Sequence, residues 1–382
     1  MSTQQSLEIK KHFRSLKDPR RRHCRQHLLL DIVVIAICAV TGGGDNWEEI
    51  AAFGRRHHAW FRRYLSLPNG IPSHDTFARV FSRLDPQVFQ RCLRDWLLAF
   101  GNVVKDEHIA IDGKTLCGSG RKTKGLGPLH LVSAWASANR LVLGQVAVEG
   151  KSNEITAIPR LLELLEIKGA VVTIDAMGCQ KEIAAKIRAR RCHYILAVKD
   201  NQPNLLEDIR ESLIRGHEAD FAGMDHDRYE SKTSTGHGRE EKRYCEVLYD
   251  LSGIRNKEAW PGLRAIGMCY TERTLHGETT GEARYFIASQ KRSARYYAAM
   301  FRKHWSIENN LHWQMDVSFG EDANRTAERT AAENLTLVRR AAQALIKRDP
   351  QKGGIKCKRR QAGWDLKFLE ELLIRPTHSA KV

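Results

Sequence analysis

The sequence lacks any closely paired cysteines. Its nine cysteines lie far apart, no CxxC pair occurs, and the count is odd. Zinc modules and disulfide frameworks both need cysteines at short or regular spacings, so neither kind of site is expected. The pattern indicates reduced and mostly buried thiols.

The sequence also lacks a long hydrophobic run. The longest, from Leu28 to Val40, is too short to span a bilayer and is interrupted by Asp31. The first residues, MSTQQSLEIKKHF, have no apolar region of the kind found in signal peptides. We therefore expect a buried helix over this run, no membrane partner and a cytoplasmic protein.

Two common catalytic signatures are missing as well. No glycine-rich P-loop occurs, so ATP is not an expected cofactor. The sixteen histidines are scattered along the chain, which does not favour a zinc hydrolase.

Positive charge is what the sequence has in excess. Lys and Arg total 62 against 45 Asp and Glu, which gives a net charge of +17. Such an excess favours a polyanionic partner, because each neutralised phosphate releases condensed counterions. The alternative is a globular protein that is basic without binding nucleic acid. Hydrophobic residues make up 42% of the chain, which is enough for a sizeable core.

The first 102 residues are predicted to be a helical N-terminal region that binds DNA. Apolar residues recur at helical spacing after Gly44, and Ser73 has the character of a helix N-cap after the turn LPNGIP. Two short helices around a turn, flanked by arginines, are typical of a helix-turn-helix. An ordinary helical subdomain with solvent-facing arginines fits the same pattern.

From residue 103 the pattern changes to strands that later alternate with helices. Residues 103–216 read as three strands and then helix, strand, helix, strand, helix, which predicts an α/β fold with a mixed sheet. Residues 217–292 are predicted to be a β-rich insertion, and residues 293–346 return to helix. Residues 347–382 read as a basic and mobile C-terminal tail.

Two aspartates directly follow apolar strands of this predicted sheet. Asp112 comes after HIAI and Asp175 comes after AVVTI. Ligands collect at the carboxyl ends of strands in sheets with parallel pairs. Two carboxylates at neighbouring strand ends are therefore expected to share a divalent cation.

A third acid is expected from the helix that follows the insertion. Glu308 lies beside the apolar stripe of HWSIENNLHWQMDVSFGED, so it should point inward or into a cleft, where an unpaired carboxylate is costly. A salt bridge to Arg302 or Lys303 is the alternative for Glu308. The rival candidates for the third acid are Asp316, Glu321 and Asp322. Their alternative interpretation is an exposed acidic end of the helix.

Six motifs together resemble one known family. AIDGKTL, KSNEITAIP, TIDAMGCQKEIA, AVKDNQ, HGREE and HWSIENNLHWQMDVSFGED are similar to the H-repeat-associated family of insertion-sequence transposases. The resemblance runs from about the first thirty residues to beyond Arg340. It implies a DDE transposase with a ribonuclease-H-like core, a β-rich insertion before the glutamate, and Asp112, Asp175 and Glu308 as the catalytic triad.

The resemblance also implies what the chain binds and does. It implies two Mg²⁺ ions on the triad, for which Mn²⁺ could substitute, double-stranded DNA as partner, and a nucleoid-associated homodimer that pairs two transposon ends. The expected reaction is cutting of insertion-sequence ends and joining of their 3′-hydroxyls to target DNA. The alternatives are a decayed transposase that only binds DNA and a nuclease of the same fold. Candidates for DNA contact are Lys114, His237, Arg239, His304 and His312.

Overall fold

A mixed β-sheet forms the centre of the protein. The computed structural model describes residues 9–100, 107–121, 125–148, 154–236 and 238–374, and within them ten strands belong to one sheet. The strands are β1 (His108–Leu116), β2 (Leu129–Ala136), β3 (Leu141–Val148), β4 (Val171–Ile174), β5 (His193–Val198), β6 (His226–Glu230), β7 (Ser234–Gly236), β8 (Arg239–Leu248), β9 (Ala265–Leu275) and β10 (Glu278–Ala288).

The first five strands have the predicted mixture of directions. Their order is β3-β2-β1-β4-β5, in which β1, β2 and β3 pair antiparallel while β1, β4 and β5 pair parallel. Every residue of β2 and β4 is buried, as expected for strands covered on both faces. This order and these directions are those of a ribonuclease-H-like α/β core, so the predicted fold class is confirmed.

The β-rich segment continues the same sheet instead of forming a second one. Strand β10 pairs antiparallel with β5, and β9, β8 and β6 follow outward, with β7 also paired to β8. A strand such as β5 would otherwise end the core sheet with unpaired backbone groups. The inserted segment therefore covers this edge and is joined to the core by backbone hydrogen bonds.

Helices cover the sheet and build a second hydrophobic core at one side. The helix bounds are α1 (Leu29–Thr41), α2 (Trp47–Arg56), α3 (His58–Phe61), α4 (His74–Phe81), α5 (Pro86–Leu98), α6 (Glu154–Glu163), α7 (Lys181–Ala189), α8 (Pro203–Glu218), α9 (Ala294–His304), α10 (Trp313–Phe319), α11 (Arg329–Arg348), α12 (Ile355–Trp364) and α13 (Leu366–Ile374), with a π-helical turn at Glu308–His312.

The N-terminal helices share their core with the C-terminal ones. Ile35 of α1 and Phe81 of α4 belong to the same buried cluster as Leu345 of α11 and Leu369 of α13. Helix α1 is the buried helix that was predicted from the apolar run. The Ser73 side chain accepts the backbone N–H of Thr76 and so caps α4 as expected. The helix-turn-helix stays a prediction.

The C-terminal segment differs from its prediction as a mobile basic tail. Residues up to 374 form α12 and α13, and Lys358 and Arg359 are buried. The Lys358 Nζ donates to the carbonyl oxygen of Asp349 at 2.9 Å, and Arg359 binds three backbone carbonyl groups of distant segments. These buried contacts hold the segment in place, because buried cations are stable only when fully paired.

In the part of the chain that the structure describes, no helix combines the length and the apolar character needed to cross a membrane.

Candidate active site

Asp112 and Asp175 follow directly after the paired residues of two neighbouring parallel strands. The parallel pairing of β1 with β4 ends where Ile111 lies opposite Ile174, so Asp112 is the next residue within β1 and Asp175 is the first residue after β4. Strand β1 does not end at Asp112, as the sequence suggested, but continues to Leu116 by pairing with β2. The two carboxylates are therefore brought together where the parallel pairing stops.

Glu308 reaches this point from the turn between α9 and α10. Residues Glu308–His312 form a π-helical turn, a rare conformation that is frequent at functional sites. The candidate ligand atoms of Asp112, Glu308 and His312 all lie within 4.8 Å of one another. The ion-pair partner of Glu308 is His312, at 3.5 Å between Oε2 and Nδ1, and not Arg302 or Lys303 as in the alternative interpretation.

The carboxylates strongly perturb one another. Burial, followed by the negative charge of Glu308, raises the pKa of Asp112 to about 8, and the charge of Asp175 adds to this. The close contact with the His312 side chain is the main cause that lowers the pKa of Glu308 to about 2. The charge of Glu308 therefore opposes ionisation of Asp112. This crowding of oxygen donors fits a divalent metal ion, whose charge would relieve the repulsion.

Backbone groups orient the two aspartates. The Gly113 N–H donates to Oδ1 of Asp112 at 2.8 Å, and the Met177 N–H donates to Oδ1 of Asp175 at 3.2 Å. Each bond fixes one oxygen of its carboxylate. Strand β1 and the short helical turn Ala176–Gly178 thus hold the two side chains at the same end of the parallel pairing.

A buried chain of polar side chains supports the backbone next to Asp112, and the sequence did not reveal it. His130 on β2 binds Oε1 of Glu154 through Nε2 at 2.7 Å and Oγ1 of Thr115 through Nδ1 at 2.8 Å. Both His130 and Glu154 are buried, and they pack directly against Gly113. The signal that could have indicated this chain is Glu154 itself, an acid on the face of helix α6 whose other buried residues are apolar.

Gly113→Ala is expected to impair the site because the added methyl group has no room. An ideal Cβ there would lie 2.5 Å from Nε2 of His130 and against the carboxylate of Glu154. Overpacking of this kind costs about 1–3 kcal/mol, and a displacement of about 1 Å at a catalytic group lowers rates by about 100-fold. Rates of DNA cleavage and thermal unfolding curves should be measured together.

Gly127→Ala is the matched control, since a Cβ at Gly127 meets nothing within 4 Å. We expect this variant to cleave DNA and to unfold like the unmodified protein. Parental cleavage by the Gly113→Ala variant would show that the buried His130–Glu154 pair does not constrain Asp112.

Lys114 has the contacts of an internal ion pair and not those of a free cation at the surface. Its side chain is 8% exposed, and Nζ lies 2.6 Å from Oδ1 of Asp316 and 3.4 Å from Oδ1 of Asp322. Contact of Lys114 with phosphate would require these bonds to break. Asp316 and Asp322 are accordingly ion-paired with Lys114, whereas Glu308 faces Asp112.

The interpretation of the rival acids as an exposed helix end is wrong for Glu321. This residue is 2% exposed, because the chain reverses at Gly320 with a φ of 57° and then turns inward. Its charge acts on the buried guanidinium groups of Arg339 and Arg340. Glu321 therefore belongs to an internal charge cluster.

Of the other residues predicted to contact DNA, one is half-buried against the core sheet and one is exposed beside a groove. His304 is half-buried, and its Nδ1 lies 2.8 Å from Oγ1 of Thr173, which ties α9 to β4. Burial lowers the pKa of His304 to about 4, so this imidazole is neutral at pH 7. Arg239 is exposed at the start of β8 and lines a groove, while His237 lies outside the described residues.

That groove is rich in arginine and runs beside Glu308. It has a volume of about 550 Å³ between strands β7–β10 and α9, and it reaches Asn309 and Asn310 on the π turn. The guanidinium group of Arg284 lies 4.7 Å from the ring centre of Trp305. The arginines that line the groove are Arg239, Arg243, Arg273, Arg284 and Arg302.

Comparison with known proteins places the chain among transposases. Residues 104–345 match the family described as Transposase DDE domain, and residues 10–97 match the family described as DDE_Tnp_1-associated. The "Putative transposase YncI" of Escherichia coli O157:H7 is 39% identical over 94% of this chain and 92% of its own length. The "H repeat-associated putative transposase YhhI" of Escherichia coli K12 is 37% identical over 96% of this chain and 98% of its own length.

Among solved structures, the piggyBac transposase synaptic complex with hairpin DNA superposes with a TM-score of 0.42 at 9% identity, covering 99% of this chain and 78% of that one. The fold assignment accordingly rests on the strand order and directions of the sheet. The family matches and the two relatives, which span nearly the whole chain, show that it belongs to the DDE transposases, as its resemblance to the H-repeat-associated insertion-sequence family predicted.

Proposed function

We propose that the chain cuts the ends of an insertion sequence and joins their 3′-hydroxyls to target DNA. The observation that carries this proposal is the meeting of Asp112 and Asp175 at the end of their parallel pairing, with Glu308 facing Asp112 from the π turn. The three carboxylates would hold two divalent ions, Mg²⁺ or Mn²⁺. Such ions, when bound, activate a water or a 3′-hydroxyl and stabilise the leaving oxygen.

The protein's own contribution is to fix the three carboxylates before DNA arrives. Asp112 is held by the backbone of Gly113, and the charges of both Glu308 and Asp175 act on it. Asp112 would therefore contribute to the binding of both ions. A site held rigidly in this way needs little rearrangement during the reaction.

The arginine groove supports DNA as the substrate. Glu241 is ion-paired with Arg243 and lies 3.9 Å from Arg273, and Arg284 is ion-paired with Glu282. This leaves Arg239 and Arg302 as exposed cations of the groove without an ion pair among the described residues. Arginine contacts phosphate oxygens with a rigid set of donors. A DNA strand in this groove would lead to the π turn that carries Glu308.

DNA binding should weaken steeply as the salt concentration rises, because the groove arginines would displace counterions from phosphates. Replacing Arg239 or Arg302 by Ala should reduce affinity for all sequences alike and lower the slope of log affinity against log salt by about 1 for each residue. Binding should be measured by fluorescence anisotropy at several salt concentrations.

Lys168→Ala provides the control for these substitutions. Lys168 is exposed and precedes β4, so it lies at the opposite end of that strand from Asp175. Its replacement should leave the salt slope unchanged. A flat salt dependence of the unmodified protein would mean that the positive charge does not serve DNA binding.

The proposed reaction is tested with DNA that carries the terminal repeats of the element encoding this chain. In the presence of Mg²⁺ or Mn²⁺, and without ATP, we expect nicks with 3′-hydroxyl ends and joined products in target DNA. Two ends held in one complex would identify the working form as a dimer. Binding without cleavage would indicate a decayed transposase, and cleavage without joining would indicate a nuclease of the same fold.

A further inference from the structure

His312 occupies a position at the candidate metal site that the catalytic triad does not explain. Its Nδ1 lies 3.5 Å from Oδ2 of Asp112 and 3.5 Å from Oε2 of Glu308. The side chain is 7% exposed, and Nε2 has no hydrogen-bond partner among the described residues. A buried imidazole thus points one nitrogen at two carboxylates and leaves the other unpaired, whereas nearly all buried polar groups are paired.

The spacing of these atoms differs from that of direct hydrogen bonds. An N–H···O bond usually joins atoms about 2.7–3.2 Å apart, which is shorter than both contacts of His312. Ligands of one octahedral ion, each about 2.1 Å from it, stand roughly 3 Å apart. One nitrogen and two oxygens within 4.8 Å of one another are close enough to bind one cation after small movements of their side chains.

The backbone conformation gives a second reason to look for a ligand role. Glu308 and His312 are the first and last residues of the π turn, and Leu311 within this turn is buried. Such turns are rare because they interrupt the regular helix, and they occur frequently at functional sites. Here the turn presents an oxygen donor and a nitrogen donor of the same helical segment to Asp112.

We propose that His312 is a ligand of the metal ion held by Asp112 and Glu308. This inference rests on the proposed function, and it adds a nitrogen donor to the all-oxygen set of the triad. Carboxylates and waters suit Mg²⁺, whereas imidazole favours transition metals such as Mn²⁺ and Co²⁺ over Mg²⁺. The site should accordingly bind Mn²⁺ more tightly than Mg²⁺.

The test is electron spin echo spectroscopy of Mn²⁺ bound to the full-length protein, which detects nitrogen in direct contact with the metal. The unmodified protein should show imidazole nitrogen modulation, and His312→Gln should lose it. The affinity for Mn²⁺, measured by titration calorimetry, should fall at least about tenfold in this variant. The affinity for Mg²⁺ should change less, so the preference for Mn²⁺ should shrink.

His304→Gln is the matched control, because His304 precedes Glu308 by one helical turn and its Nδ1 is bound to Thr173. This variant should keep the nitrogen modulation. If His312→Gln fails to fold, the spectrum of the unmodified protein still decides, since absence of nitrogen modulation there overturns the inference.

Asp112→Asn separates this inference from the proposed function. If this variant lost Mn²⁺ binding and the unmodified protein gave no nitrogen signal, His312 would be excluded as a ligand. The assignment of the metal to the triad would then still stand. Unchanged Mn²⁺ binding in both Asp112→Asn and Glu308→Gln would instead mean that the triad does not hold the metal.

Discussion

Asp112→Asn is expected to abolish metal-dependent DNA cleavage while DNA binding remains. The substitution keeps the side-chain shape but removes the carboxylate on which the charges of both Glu308 and Asp175 act. A rate lower by at least about 1,000-fold, on the order of 4 kcal/mol, is expected for the loss of a central metal ligand. Asp175→Asn and Glu308→Gln should behave alike. Single-turnover cleavage should be measured beside binding of the same DNA.

Asp322→Asn is the appropriate control for these variants. Its carboxylate is 39% exposed, lies 3.4 Å from Nζ of Lys114 and accepts the backbone N–H of Cys117 at 3.3 Å, whereas Asp316 is the close partner of that buried lysine. We expect Asp322→Asn to retain cleavage, and Asp316→Asn to retain it with some loss of stability. If Asp316→Asn lost cleavage while Glu308→Gln kept it, the third acid would be Asp316 and not Glu308. Parental rates in all three triad variants would contradict the proposed chemistry.

Arg359→Ala is expected to cause the largest loss of stability. The guanidinium group donates to the carbonyl oxygens of Val40 at 3.0 Å, Ser318 at 2.7 Å and Gly44 at 3.1 Å, and it binds Asp45 at 2.5 Å. Its removal leaves buried acceptors of separate segments without a partner. Each buried acceptor left without a partner costs about 1–3 kcal/mol, so the midpoint of urea denaturation should fall markedly.

The neighbouring residue offers a control on the same helix. Arg360 is exposed, and its replacement by Ala should change the free energy of unfolding by no more than about 0.5 kcal/mol. Equal denaturation midpoints for the Arg359 and Arg360 variants would show that the C-terminal helices do not contribute to the fold.

The central sheet could be predicted from the sequence because its signals are local. Buried strands such as VVTI have continuous apolar residues, and turn residues separate them. The adjacency of Asp112 and Asp175 followed from the general rule that parallel strands end at one edge. These inferences needed no knowledge of distant contacts.

Distant contacts explain what could not be predicted. The sequence predicts Lys114 as a candidate for DNA contact, but the fold places Asp316, 202 residues later, beside it. Arg359 lies in a stretch whose lysines and glycines are typical of mobile segments, yet its partner Val40 is 319 residues away. Side chains whose pairing depends on another part of the chain carry no local signal, so composition alone gave the wrong result.

The shared core of the N- and C-terminal helices limits how this protein can be divided. Leu335, Val338 and Leu345 of α11 are buried in the same cluster as Ile35 and Phe81. A shortened product that ends before Arg329 would expose that apolar surface of the first helices to water. Chains with such exposed surface aggregate or are degraded. A gene interrupted late in its coding sequence should therefore yield no stable fragment that could interfere with the intact protein.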